Sequence, residues 1–228
     1  MRCRYLVIDS KSIYYNMALD EALLINADRN PLSIRLYRWK TPVYTIGYFQ
    51  KVDELKKSGM IKEGIPYIRR ITGGGLVKHG DDITYTISCC RAEKCLGKTS
   101  REIYRAVNTV FAGVFKKMNV AAVLAGVNGS FLGRSRNCFE ERSAFDLISA
   151  SGKIGGSAQR RKGDKFIQQG SLLEGSIDGD LFVEECLKEF CRYFGWDIRE
   201  ACLSRKETEL AGYLCRTKYS TPEWNNVR

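Results

Sequence analysis

Three consecutive glycines, Gly73, Gly74 and Gly75, constrain this chain more than any other feature. Arg69-Arg70-Ile71-Thr72 leads into them, and Leu76-Val77-Lys78-His79 follows. A glycine run gives up much chain entropy on folding, so it belongs where backbone takes φ > 0 or lies against a ligand. Guanidinium forks beside it suit a carboxylate or phosphate. The run lacks the GxGxxG spacing of dinucleotide folds and the GK[ST] of a P-loop. Pro66 to Ile71 and Leu76 to His79 read as strands, so no helix N-terminus follows to hold a phosphate. The stretch reads as a binding loop for an anionic or activated acyl group. The plainer reading is a tight bend with a bulge. His79, the sole histidine, reads either as a base or as a buried, hydrogen-bonded support for the loop.

The flanking sequence sets the fold class. Tyr5 to Ile8 is predicted to be a short strand. Asn16 is predicted to cap a helix through Leu24, with acids in its first turn. Ser33 to Trp39 alternates as a half-buried strand should. Val43 to Ile46 is a second strand, and Gln50 to Ser58 a short helix. In Asp82 to Cys89, Ile83, Tyr85 and Ile87 alternate with Thr84, Thr86 and Ser88. Thr99-Ser100-Arg101-Glu102 has capping-box spacing before a helical apolar period from Ile103 to Met118. Val120 to Leu124, Ala144 to Ile148, Lys153 to Gln159 and Phe166 to Leu173 read as strands, with Ser151-Gly152 a hairpin turn. A helix from Asp180 to Phe194 stops at Gly195. A last helix, Ser204 to Lys218, precedes a polar tail. Strands in hairpins with few intervening helices argue against repeating βαβ units. They predict an α+β fold, a mixed and mostly antiparallel sheet with flanking helices. No linker splits residues 1–228, which read as one domain with 201–228 as a small helical appendage.

The chain has 228 residues, 44% of them apolar, and a formal net charge of +11. The charge implies an acidic partner or a solvated basic surface, and no run is long enough to span a bilayer. Nine cysteines, with no CxxC pair at zinc spacing, indicate a reduced cytoplasmic protein with no metal site.

Two further stretches bear on chemistry. In Lys153-Ile154-Gly155-Gly156-Ser157-Ala158-Gln159, small residues let a lysine approach a buried ligand, where desolvation would lower its pKa. A snorkelling surface lysine is the ordinary alternative. Cys138 lies in a polar loop with Arg134, Arg136 and Arg142 nearby, which favour thiolate over thiol.

These stretches resemble the biotin/lipoate ligase-like superfamily. Arg69 to His79 with Thr84-Tyr85-Thr86 is similar to the lipoate branch's RRxTGG(G/R)xxxH and TYS motifs. Gly152-Lys153-Ile154-Gly155-Gly156-Ser157-Ala158-Gln159 is similar to its GKKxxGSAQ. Met17 to Ala22 and the segments 36–39 and 47–50 also fit, so the resemblance runs from about residue 5 to 190. It implies the class II biotin/lipoate ligase-like catalytic fold and a lipoyl-protein modification enzyme. One implied activity is octanoyl transfer from acyl carrier protein to a lysine of a lipoyl domain or the glycine cleavage H protein. The other is an ATP- and Mg²⁺-dependent lipoate–protein ligase. In a transferase subgroup the acyl-carrying cysteine lies in a CF dipeptide, here Cys138-Phe139, and such an enzyme needs no cofactor. The chain also ends without the extra C-terminal domain of many ligases, which favours the transferase.

In that reading Lys153 assists proton transfer and orients the carbonyl. Arg69 and Arg70 hold the loop or meet phosphopantetheine. Thr72, Gly73, Gly74, Gly75 and His79 line an acyl tunnel with Gly155, Gly156, Ser157 and Ala158. Gln168-Gln169-Gly170-Ser171 departs from the family's QHGS, and Gly75, arginine in many transferases of the subgroup, keeps the ligase alternative open. A third reading is a non-catalytic binder of carrier domains or nucleic acid, with nucleic acid the less favoured partner.

Overall fold

The computed structural model describes residues 1–8, 12–29, 32–128, 144–173 and 177–226. In chain order the elements are β1 (Arg2–Leu6), α1 (Ile13–Ile25), β2 (Leu32–Tyr37), β3 (Val43–Ile46), α2 (Val52–Lys57), β4 (Tyr67–Arg69), β5 (Val77–His79) and β6 (Asp82–Cys90). Then come α3 (Ser100–Lys117), β7 (Val123–Leu124), β8 (Leu147–Ser149), β9 (Gly152–Lys162), β10 (Lys165–Leu173), α4 (Gly179–Phe194), β11 (Asp197–Ala201), α5 (Arg205–Leu214) and α6 (Pro222–Asn226).

Eight strands form one sheet in the order β11-β1-β2-β6-β10-β9-β8-β7, and β4-β3-β5 form a second. Pairing is antiparallel except at β1–β11, β1–β2 and β3–β4. The expected α+β architecture is therefore present. No helix among the described residues is long and apolar enough to cross a membrane.

The period-two alternation of the central strands builds two unlike faces. Ile34, Leu36, Ile83, Tyr85 and Ile87 pack against Ile103, Val107 and Phe111 of α3 and Phe182, Cys186 and Phe190 of α4. The opposite face carries Ser33, Arg35, Thr84, Thr86, Gln169 and Ser171. The sequence suggests half-buried strands with that face wet. All six residues of β2 are buried instead, as are Thr84, Thr86 and Ser88 of β6. Alternation reports a change of polarity between faces, and here both faces are covered. The buried polar face is the floor of the candidate site.

Several boundaries differ from expectation. The helix cap of α1 is Ser12, whose hydroxyl accepts the Tyr15 N–H, not Asn16. Asn16 lies inside the helix, buried, with its Oδ1 accepting from Arg35 Nη2 at 3.2 Å. The helix has no acid in its first turn. The predicted capping box of α3 (Thr99, Glu102) and the hairpin β8–β9 are present, the latter with a register shift at Leu147/Ile148. Strand β11 was not predicted. It is an exposed, charged edge strand with no apolar period to betray it. The final predicted helix ends at Leu214; a π-helical turn spans Cys215–Tyr219 before α6. This C-terminal segment packs its Ala211, Tyr219 and Trp224 onto clusters that contain α1.

Candidate active site

The glycine loop joins β4 to β5 and crosses the buried polar face. Gly74 has φ 84°, a left-handed conformation that suits glycine. Its carbonyl faces Gly47 so closely that a methyl on Gly47 would stand 1.8 Å from the Gly74 oxygen. Both arginines turn inward to hold backbone. Arg70 Nη2 donates to Gly73 O at 2.6 Å and Gly75 O at 2.7 Å, and its Nη1 to Thr45 O at 3.1 Å. Arg69 Nη1 reaches the carbonyls of Gly47, Tyr48 and Gln50 at 3.0, 3.1 and 2.8 Å. Of the two roles expected for this pair, the geometry displays the holding of the loop.

His79 is buried and bridges two walls. Its Nδ1 lies 2.7 Å from Asp82 Oδ2 and its Nε2 2.9 Å from Thr45 Oγ1. Trp39 packs against the imidazole with ring centroids 5.0 Å apart and the planes tilted by 36°, and donates to Thr84 Oγ1 at 2.8 Å. Burial alone would raise the Asp82 carboxyl, but hydrogen bonds from His79, Ser171 and the Gly80 N–H hold it below the usual aspartate value. The support reading of His79 is the one this geometry displays. A second knot lies along α1. Asp20 pairs with Arg35 at 2.5 Å and accepts from Thr86 Oγ1 at 3.0 Å and Gln169 Nε2 at 2.6 Å. Burial outweighs these partners and raises its carboxyl. Gln169 Oε1 in turn accepts from Thr72 Oγ1 at 2.8 Å.

The second glycine stretch forms the middle of β9. Lys153 is buried and pairs with Asp146 at 2.8 Å, so the snorkelling alternative does not describe it. Its Cε would stand 2.8 Å from a methyl at Gly156, so Gly156 is the floor over which the lysine lies. Gly155 faces the other way: a methyl there would meet Leu172 and Leu147 of the main core at 2.9 and 3.1 Å.

A cavity opens between the loop and the sheet. Its walls are Met17, Trp39, Thr45, Arg70, Val77, His79, Thr84, Gly156, Ser157, Ala158, Gln169, Gly170 and Ser171. Of the residues expected from sequence, Arg70, His79, Gly156, Ser157 and Ala158 meet on it. Arg69, Thr72, Gly73, Gly74, Gly75, Lys153 and Gly155 are not part of its wall. Cys138, with Arg134, Arg136 and Arg142, lies outside the described residues. The other cysteines are free thiols; burial pushes Cys3 up to about 12 and Cys186 well above the thiol range.

Sequence reasoning missed Met17, Trp39, Asp20, Asp82, Asp146 and Gln169 as parts of the site. The alternating threonines of β6 were the available signal for a polar face. Nothing local marks Asp146, which reaches Lys153 only through the β8–β9 hairpin.

The fold that carries this cavity is one that other structures share. A putative lipoate protein ligase of T. acidophilum superposes with a TM-score of 0.80 at 22% identity, covering 99% of both chains. A lipoate–protein ligase A bound with ATP gives 0.77 at 21% identity, covering 99% of both chains. The fold is that of the class II biotin/lipoate ligase catalytic domains. Residues 12–190 match the lipoyl protein ligase A/B catalytic domain, and the chain belongs to that family.

Octanoyltransferase LipM of Geobacillus kaustophilus is 34% identical over 195 residues, 82% of this chain and 68% of that protein. The LipM of Oceanobacillus iheyensis is 36% identical over 160 residues, 69% of this chain and 58% of that protein, so less than two thirds of its length is matched. The LipM of Brevibacillus brevis is 26% identical, covering 97% of this chain and 98% of that protein.

Proposed function

We propose that this chain is an acyltransferase of lipoyl-protein biosynthesis that moves an octanoyl group from an acyl carrier protein to a lysine of a lipoyl domain. The observation that carries this reading is the similarity to octanoyltransferases at 34–36% identity, joined to a cavity whose walls are apolar at Met17, Trp39, Val77 and Ala158. A structural neighbour described together with its E2 lipoyl domain supports a lipoyl-domain acceptor. The glycine cleavage H protein is a second acceptor of the same kind. The +11 charge would steer acidic carriers toward the enzyme, which would work in the cytoplasm.

The proposed route uses Cys138 as nucleophile. Its thiolate attacks the carbonyl of the octanoyl thioester, the carrier's thiol leaves and takes a proton, and an octanoyl-Cys138 thioester remains. The acceptor lysine amine then attacks that carbonyl, an amide forms, and the Cys138 thiol is released. A thioester conserves the activation of the incoming thioester, so the route draws on neither ATP nor metal. Lys153, fixed by Asp146 over Gly156, would orient the carbonyl and move the proton. Backbone N–H groups of the glycine loop would receive the developing oxyanion.

The test is intact-mass measurement after mixing with octanoyl carrier protein. A single octanoyl adduct, absent in Cys138→Ala, is expected. Transfer at an unchanged rate in Cys138→Ala would sink the thioester route. Lipoate-dependent AMP formation with ATP and Mg²⁺, surviving that substitution, would mark the ligase alternative that Gly75 favours.

A further inference from the structure

We infer that helix α6 is a working part of the acyl site, with Asn225 and Trp224 acting as positioning residues for the glycine loop through Arg69. The argument begins at an edge. Strand β4 pairs with β3 on one side only. The backbone of Arg69 on its other side would be left open, as edge strands are. Two side chains of α6 close it. Asn225 Oδ1 accepts the Arg69 N–H at 2.9 Å, and Trp224 Nε1 donates to the Arg69 carbonyl at 3.0 Å. Together they supply the donor and acceptor that a neighbouring strand would have supplied.

The Arg69 side chain completes the tie. Its Nε donates to Trp224 O at 3.1 Å and its Nη2 to Asn225 O at 3.2 Å, while Nη1 spans the carbonyls of the 47–50 turn. That turn touches the glycine loop twice. Tyr48 N–H donates to Thr72 O at 2.9 Å, and Gly47 abuts the Gly74 carbonyl. Asn225 is itself fixed, its Nδ2 donating to Tyr219 O at 2.7 Å and Thr221 O at 3.0 Å. Arg69 and Asn225 are 2% and 7% exposed, so water does not substitute for these bonds. One residue after Arg69 the chain enters the Arg70–Gly75 loop. Helix α6 thus holds both the strand that launches the loop and the turn that backs it, across 156 residues of sequence. A polar tail in the sequence becomes a clamp on the cavity wall.

The inference rests on the acyltransfer reading for its kinetic arm only. The experiment compares full-length wild type, Asn225→Ala, Trp224→Phe and Glu223→Ala, the last an exposed α6 residue as control. Hydrogen exchange of residues 69–75 and 47–50 is followed with thermal unfolding and steady-state octanoyl transfer to a lipoyl domain. Asn225→Ala and Trp224→Phe are expected to speed exchange in those two segments about five- to tenfold, as loss of one buried hydrogen bond would. The strands β6 and β10 keep their protection, and kcat falls while KM for the lipoyl domain holds. Glu223→Ala matches wild type. Unchanged exchange at 69–75 in both variants, uniform acceleration across the chain, or faster exchange with wild-type kcat would each overturn the inference. A wild type that transfers no octanoyl group defeats the functional reading instead, and the exchange arm still decides the coupling.

Discussion

Gln169 stands between Thr72 and Asp20, accepting from the threonine hydroxyl at 2.8 Å and donating to the carboxylate at 2.6 Å. One neutral amide therefore joins the glycine loop to helix α1 across the floor of the cavity. The family's QHGS motif has histidine where this chain has Gln169. An amide offers a fixed acceptor and a fixed donor at once, whereas an imidazole offers both only when neutral.

Gln169→Ala leaves Asp20 short of a donor and Thr72 short of an acceptor in a buried setting. The expected cost is about 1–3 kcal/mol of stability, read by urea unfolding, with a fall in kcat/KM for octanoyl transfer. Gln169→His is expected to recover much of both above the imidazole pKa and less below it. Equal activity of the alanine variant and wild type would remove Gln169 from the site.

The glycines divide by what surrounds them, and substitution separates the classes. A methyl at Gly47 meets backbone, the Gly74 carbonyl at 1.8 Å, which cannot swing away. Gly47→Ala is expected to cost about 1–3 kcal/mol and to disturb the loop. A methyl at Gly156 meets the far end of Lys153, a flexible chain. Gly156→Ala should depress octanoyl transfer by displacing Lys153, and should lower the unfolding midpoint as far as the buried Lys153–Asp146 pair is strained. A methyl at Gly73 meets nothing within 4 Å, so Gly73→Ala should be stable. Thermal unfolding and transfer assays on the three variants check the order.

The fold was legible where one local signal sufficed. The Thr99 capping box, the Ser151-Gly152 hairpin and the Gly195 stop each announce an element by chemistry within a few residues. The same holds for the glycine loop and the β9 lysine as places of interest. What the residues there do was less legible, because their partners come from elsewhere in the chain. Arg69 looks like an anion fork until Trp224 and Asn225 fold onto it, and Asp146 gains meaning only once β8 lies beside β9. The threonines of β6 alternate with apolar residues although their face is buried, because polarity, not burial, is what alternation encodes.

Lys153 and Asp146 form a buried pair, with side chains 4% and 6% exposed. Removing one partner of such a pair leaves the other charge without its counterpart, which costs more than the pair contributes. Lys153→Ala is expected to lower octanoyl transfer by about 10²–10⁴-fold, the range for a proton-transfer group. Asp146→Asn keeps the shape and removes the charge, so a smaller loss is expected. Intact-mass kinetics of adduct formation and adduct decay show which half-reaction each slows. An Asp146→Asn enzyme slower than Lys153→Ala would refute the order.

The His79–Asp82 contact carries a pH signature. The Asp82 carboxyl is held below its ordinary value in the fold, against the pull of burial, by His79, Ser171 and the Gly80 N–H. A carboxyl whose folded pKa is depressed contributes stability above its unfolded pKa of about 3.9, and that contribution is lost as pH falls through the folded value. Wild type should therefore lose stability more steeply below about pH 4 than Asp82→Asn does. At pH 7 the asparagine variant should be the less stable, since it gives up the charge-assisted bonds to His79 and Ser171. Urea unfolding of both proteins between pH 3 and pH 7 reads the two slopes. Parallel curves would mean that Asp82 titrates alike folded and unfolded, and that its contact with His79 adds no pH-dependent stability.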